Sequence, residues 1–236
     1  MHPYETNPPA GVYEAKLETI LDAGQYASLL QKARPPRLDI PHGWLAGGGA
    51  SRDCRIEQDT TTVHNGRASV RSTCTGYDAR GFEVYNSGEG LLQEIRADAY
   101  RGKRIRLSAW VKPYGVEQSA RLWMRVDAAD RMLCLDNMER NLIKGTSDWQ
   151  KREVVLDVPT EAIGISIGLI LNGKGTIWAD DFQLETVSLD VPSTDIGLPQ
   201  RPWDSKMREQ MQERYSRAPE QPVNLNFEEG SSQGPL

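Results

Sequence analysis

Between about Arg37 and Glu185 the chain is cut at short, regular intervals by turn signals, and the stretches between them alternate apolar and polar residues. RASVRST (67–73) follows Asn65-Gly66, GLLQEIRA (90–97) follows a Ser-Gly-Glu-Gly cluster, and KRIRLSAWVK (103–112) follows Arg101-Gly102. RLWMRVD (121–127) and RMLCLDNM (131–138) come next. WQKREVVLDV (149–158) ends at Pro159, AIGISIGLIL (162–171) ends at Asn172-Gly173, and TIWADDFQLETV (176–187) closes the series. A period of two places alternate side chains on opposite faces of a strand, and Gly-containing turns join such strands into hairpins. No helical pattern interrupts the run, so the expectation is an all-β, antiparallel jelly-roll β-sandwich. With hydrophobic residues at 38% and charged residues at 26%, the composition supports a real core.

The flanks differ. Residues 1–36 read as a proline-rich arm followed by a helix over Val12–Lys32, with Leu17, Ile20, Leu21 and Gly24 at helical steps and Pro35-Pro36 as the stop. The sandwich then spans 37–190. Residues 191–236 read as a linker (VPSTDIGLPQRP), a helix (WDSKMREQMQERYSR) and a C-terminal strand in PVNLNFEEG. Trp203, Met207, Met211 and Tyr215 recur every four residues in that helix, and Asp204 or Ser205 can cap it. Such narrow apolar stripes are expected to dock on the sandwich or on each other, with a homodimer contact as the alternative.

Several function classes lose ground. The net charge of -5 argues against a nucleic-acid-binding domain. No apolar run is long enough to span a membrane, and MHPYETNPPAG lacks the apolar stretch of a secretory signal. Cys54, Cys74 and Cys134 are few, odd in number and far apart, which predicts no disulfide framework and a cytoplasmic home. His2, His42 and His64 have no partners at zinc spacing, so no metal site is read from them. Gly168-LILN-Gly173-Lys174-Gly175 misses the Ser/Thr of a phosphate loop and lies in a strand and hairpin rather than before a helix.

The strand faces carry the functional signal. Ile105, Leu107, Ala109 and Val111 share one face of their strand, as do Leu122, Met124 and Val126, and as do Ile163, Ile165, Ile167, Leu169 and Leu171. These are the expected inter-sheet core. The opposite faces hold Ser108 and Trp110, then Trp123, Arg125 and Asp127, then Gly164, Ser166 and Gly168. Small residues beside aromatic and charged ones suggest a trough, and glycine inside a strand often marks close approach by a ligand. Aromatic platforms flanked by planar polar groups suit sugars, whose C–H faces stack on rings while their hydroxyls form hydrogen bonds. The expected ligand-binding set is Trp110, Trp123, Arg125, Asp127, Ser108, Ser166, Gln93 and Asn137. The competing reading is that the terminal helices cover the tryptophans as a second small core. Glu94, Asp127, Asp136 and Asp180 are carboxylates for the same face. Of these, Asp127 and Glu94 are the candidate acid/base pair of a cyclase or isomerase. Cys134, in an alternating strand, reads as core.

RADAYRGKRIRLSAWVK, LWMRVD, DNMERNLIKGTSDWQKREVVLDVP, IGLILNGKGTIWADDFQLE and PVNLNFEEG together resemble a bacterial family of carbohydrate-binding-module-like jelly rolls of the galactose-binding-like superfamily. Its members are often described only as regulators or as proteins of unknown function. The resemblance covers about residues 37–229. It implies the sandwich fold but little about activity, because such folds host many functions. RLDIPHGW (37–44) stands where members carry a motif like NLDFE…GW. It keeps Trp44 but lacks the Asn and Glu, and the fuller match, Asn224 to Glu229, lies at the other end. The resemblance also implies a structural calcium held by Asp180, Asp181 and Glu228, with no other cofactor required. The expected function is therefore small-molecule or carbohydrate binding, with the cyclase or isomerase and a partner-binding regulatory domain as alternatives.

Overall fold

A computed structural model describes residues 40–48, 54–76, 88–197 and 202–230. The predicted helix over Val12–Lys32 lies outside them. Among the described residues, eleven strands form two antiparallel sheets. In the first sheet the order is β1 (Leu45–Gly48), β4 (Gly88–Arg96), β10 (Gly164–Asn172), β6 (Val116–Asp127) and β7 (Met132–Asp136), with β8 (Ile143–Gly145) also pairing β6. In the second it is β2 (Cys54–Asp59), β3 (Ser69–Cys74), β11 (Gly175–Val187), β5 (Lys103–Tyr114) and β9 (Gln150–Val158). The helix α1 (Ser205–Arg217) follows. The fold is the predicted jelly-roll sandwich.

The apolar faces of β5, β6 and β10 meet between the sheets as their alternation requires. Ile105, Leu107, Leu122, Met124, Ile165 and Ile167 are all fully buried, each stabilising by roughly 1.5–3 kcal/mol. Cys134 joins this core. Its Sγ donates to the Asp157 carbonyl, and burial pushes the thiol up to about 12, so it stays protonated and inert.

Two expectations fail. Cys54 and Cys74 are joined in a disulfide. They are separated by 20 residues in sequence but directly opposite each other in the β2–β3 pairing, a register that cysteine counting does not reveal. The pairing removes the cysteine argument for a reducing compartment. The segment PVNLNFEEG is not a strand but a run of turns, with Asn224 and Phe227 in left-handed backbone. It plugs one end of the sandwich instead. Phe227 is fully buried against Trp44 and Phe182, with ring centroids 5.3 and 5.7 Å away. Trp44 Nε1 donates to the Asn224 carbonyl at 3.0 Å.

Candidate functional site

β5 and β6 are consecutive and joined only by Gly115, yet they do not pair. The chain turns the corner there, at φ 58°, and passes from the second sheet to the first. Trp110 and Ser108 therefore point outward from the second sheet, while Trp123, Arg125 and Asp127 point outward from the first. The predicted trough does not exist as one surface. Alternation told which side of each strand is outward; it could not tell which sheet the strand joins.

On the first sheet, register places outward residues of β4, β10 and β6 side by side. Glu94, Ser166 and Arg125 form one row; Arg96, Gly164 and Asp127 form the next. Leu45, Leu92, Gly168 and Trp123 form the row on the other side. The indole of Trp123 lies over Gly168. A Cβ added there would stand 2.7 Å from Trp123 Nε1 and 2.2 Å from the Leu91 carbonyl oxygen, so only glycine admits the ring. Trp123 is half-buried, and its Nε1 has no hydrogen-bond partner among the described residues. Away from Trp123, toward the β1–β4 side of the same face, a cleft of about 620 Å³ is lined by Leu45 and Glu94 and by Gln210, Glu213, Arg214 and Arg217 of α1. That size falls within the range of small-molecule sites.

The Asp127 end of the face is covered. α1 starts at Asp204, whose side chain accepts from the Met207 N–H, and buries only Met211 and Tyr215. The Tyr215 ring lies on Gly164, where a Cβ would come within 2.1 Å of it. Its hydroxyl donates to Asp127 Oδ2 at 2.6 Å and lies 2.9 Å from Ser166 Oγ. Arg125 Nε donates to the same Asp127 oxygen at 2.9 Å. Asp127 Oδ1 is buried with no partner among the described residues. Burial drives the Asp127 carboxyl above its ordinary range despite the Arg125 charge, and burial also raises the Tyr215 phenol. Glu94 is held by Arg214 of α1, with Nε to Oε2 at 3.2 Å. The two proposed acid/base carboxylates thus share a face, but one is sealed under Tyr215 and the other is paired.

Two predicted ligand residues do other work. Gln93 stands opposite Ile167 on the core side, where it bonds the Gly43 carbonyl and the Val223 N–H and carbonyl, pinning the C-terminal segment. Asn137 Nδ2 donates to Glu139, leaving its Oδ1 buried and unpartnered among the described residues.

The second sheet's outward face carries an aromatic cluster that the sequence reading missed as a unit. His64 stacks on Trp110 at 4.1 Å and meets Trp149 edge-on at 5.5 Å, and its Nδ1 lies 2.8 Å from Asp181 Oδ2. Buried Asp180 accepts from the backbone N–H groups of His64, Asn65 and Asp181. Glu228 accepts from the Arg67 and Ala68 N–H groups and from Arg67 Nε. The three carboxylates suggested for calcium are thus spent on protein donors, Asp180 and Asp181 around His64 and Glu228 on Arg67 and Ala68. No group of three or more His, Cys, Asp or Glu side chains converges among the described residues. They do not fit a hard cation, which needs several oxygens on one point. Sequence spacing gave no signal for this cluster, because it could not bring His64 to Trp110 or to Asp181.

No protein-family profile matches the chain. The chain is 38% identical over 190 residues to YbfP, an uncharacterized HTH-type transcriptional regulator of Bacillus subtilis; the match takes in 79% of this chain and 57% of that protein. A match of that length must run through the sandwich. The chain thus spans little more than half the length of the curated relative it matches. Among solved structures it is similar to the CBM22-1 xylan-binding domain of Paenibacillus barcinonensis Xyn10C (TM-score 0.44, 15% identity, 63% of this chain and 88% of that one). It is also similar to TmCBM61 in complex with β-1,4-galactotriose (TM-score 0.42, 15% identity, 63% and 92%). At these scores the likeness says nothing about ligand or site.

Proposed function

We infer that the outward face of the first sheet binds a small hydroxylated ligand of the carbohydrate class. The observation that carries this reading is the half-buried Trp123 indole seated on Gly168, on the same face as the cleft at β1 and β4. A partly exposed ring can stack on a sugar's C–H face, and Glu94, Glu213, Arg214 and Arg217 around the cleft supply acceptors and donors for hydroxyls. Titrating the full chain with a panel of mono- and oligosaccharides, followed by tryptophan fluorescence and calorimetry, tests it. At least one should bind saturably, and Trp123→Ala should weaken it about tenfold or more. Silence across the panel would overturn the reading.

The relative adds a second reading. In proteins that join this sandwich to a helix-turn-helix domain, ligand occupancy would be a signal read by the DNA-binding part. The DNA affinity of YbfP should then change when the sugar that binds this chain is added. The enzymatic alternative gains no support from the site, because Asp127 is closed to any substrate while α1 is docked.

A further inference from the structure

Tyr215 stands in Asp127's socket as a single hydroxyl on a flat ring. Its OH donates to the carboxylate and sits within bonding distance of Ser166, so it is read as donor and acceptor at once. Sugar hydroxyls are recognised in this way. The fit is incomplete. A carboxylate has two oxygens, and Tyr215 and Arg125 both use Oδ2 while Oδ1 stays buried and unpartnered. A buried acceptor left without a donor is costly. Two adjacent ring hydroxyls would satisfy both oxygens together, and the bare backbone of Gly164 leaves room for a ring above it.

The occupant is held by few groups, with the Arg214–Glu94 ion pair as the side-chain tie beside its two buried residues. Eleven of the 13 residues of α1 are exposed, and only Met211 and Tyr215 are buried. The chain is fixed on both sides of the helix: Trp203 N–H donates to the Asp130 carbonyl, and Arg96 N–H donates to the Pro219 carbonyl. Those ties lie within two residues of each end of the helix, so exchange is a withdrawal of the Tyr215 side chain from the socket while Trp203 and Pro219 stay held.

We propose that the Asp127–Ser166–Gly164 socket is a subsite for a vicinal-diol ring, a pyranose or similar polyol, and that Tyr215 is its exchangeable occupant. The ligand's paired hydroxyls replace the phenol, Tyr215 swings out and loosens α1, and ligand binding and Tyr215 docking exclude each other. This rests on the carbohydrate reading of the same face and adds the ligand's chemical class and a conformational response to it. Competition with Tyr215 lowers the apparent affinity by the fraction of time the socket is open.

The test uses the full chain, with methyl mannoside, methyl galactoside and myo-inositol as probes and the corresponding deoxy-glycosides as controls. Tyr215→Phe keeps the ring but removes the hydroxyl, so affinity for the diol probes should rise about tenfold, the worth of one charge-assisted hydrogen bond. Asp127→Asn should lower it, and the deoxy controls should bind more weakly than their parents. Hydrogen exchange over residues 205–217 should speed up when a diol probe binds. A probe that binds in a Trp123-dependent way, with Tyr215→Phe without effect and α1 still protected, overturns the exchange while leaving the carbohydrate reading standing. No binding by any probe to wild type or to Tyr215→Phe overturns both.

Discussion

The two outward faces of the sandwich are built from similar residues and end in opposite states. On the second sheet, His64, Trp110, Trp149, Asp180 and Asp181 satisfy one another. Nearby, Asp59 accepts from the Thr61 N–H and hydroxyl and the Thr62 N–H through Oδ1, and from Trp178 Nε1 through Oδ2. On the first sheet, Trp123 Nε1 and Asp127 Oδ1 lack partners among the described residues, as Ser108 Oγ does on the second, but glycines lie under two aromatic rings only on the first. A self-satisfied aromatic and carboxylate cluster is scaffold. A face with a buried, half-paired carboxylate and bare backbone under its rings is the one prepared for something else.

That contrast can be broken by mutation. The largest effect is expected from Tyr215→Ala, which empties the space over Gly164 and removes the Asp127 hydrogen bond. Truncations of buried aromatics cost about 3–5 kcal/mol, more than a helix with two buried side chains can lose and remain docked. Trypsin should then cut rapidly within 205–217, while the wild type resists. Gly168→Ala comes next. Its methyl group meets the Leu91 carbonyl and the Trp123 indole, and overpacking of this kind costs about 1–3 kcal/mol, measurable by urea unfolding. If it proves neutral, the close fit of Trp123 on the backbone is wrong.

The scaffold face should give smaller and pH-dependent effects. Burial opposes ionisation of Asp59, but hydrogen bonds from Thr61, Trp178 and Thr62 outweigh it and hold the carboxyl at about 2. Its folded value lies below its unfolded one, so its stabilisation is present above about pH 4 and is lost as pH falls toward 2. Asp59→Asn should therefore cost about 1–2 kcal/mol at neutral pH and much less near pH 2. Asp127 runs the other way. Its folded value is raised, so the folded state holds the proton longer, and stability falls as pH rises from the ordinary carboxylate range through the raised value. Opposite slopes for the wild type minus Asp59→Asn and minus Asp127→Asn difference curves would confirm that the two faces differ. Smallest of all, His64→Ala should cost about 0.5–1.5 kcal/mol from the lost ring stack and leave sugar titrations unchanged.

Much of this was legible in the residues. The strands 103–112, 121–127 and 162–171 and their inward sides follow from alternation, because a period of two leaves only one way to bury Ile105, Leu122 or Ile167. Of the stripe Trp203, Met207, Met211 and Tyr215 that marked the helix, Met211 and Tyr215 are buried, while Met207 is exposed and Trp203 precedes the helix. The face of Trp123, Arg125, Asp127, Gly164 and Ser166 was also read correctly as one surface, since those residues sit on strands that pair. Trp110 was joined to it wrongly, and Gln93, read as a ligand residue, faces the core and bonds Gly43 and Val223.

The sequence by itself determined the sandwich, its core and the outward chemistry of each strand, because these depend on local periodicity and burial. Only the tertiary structure decided which strands share a sheet, that Cys54 meets Cys74, that Phe227 closes the core, and that Tyr215 rather than solvent sits on Asp127. Each of those is a meeting of residues far apart in the chain, fixed by strand order and by the corner at Gly115, and neither leaves a periodic mark on the residues themselves.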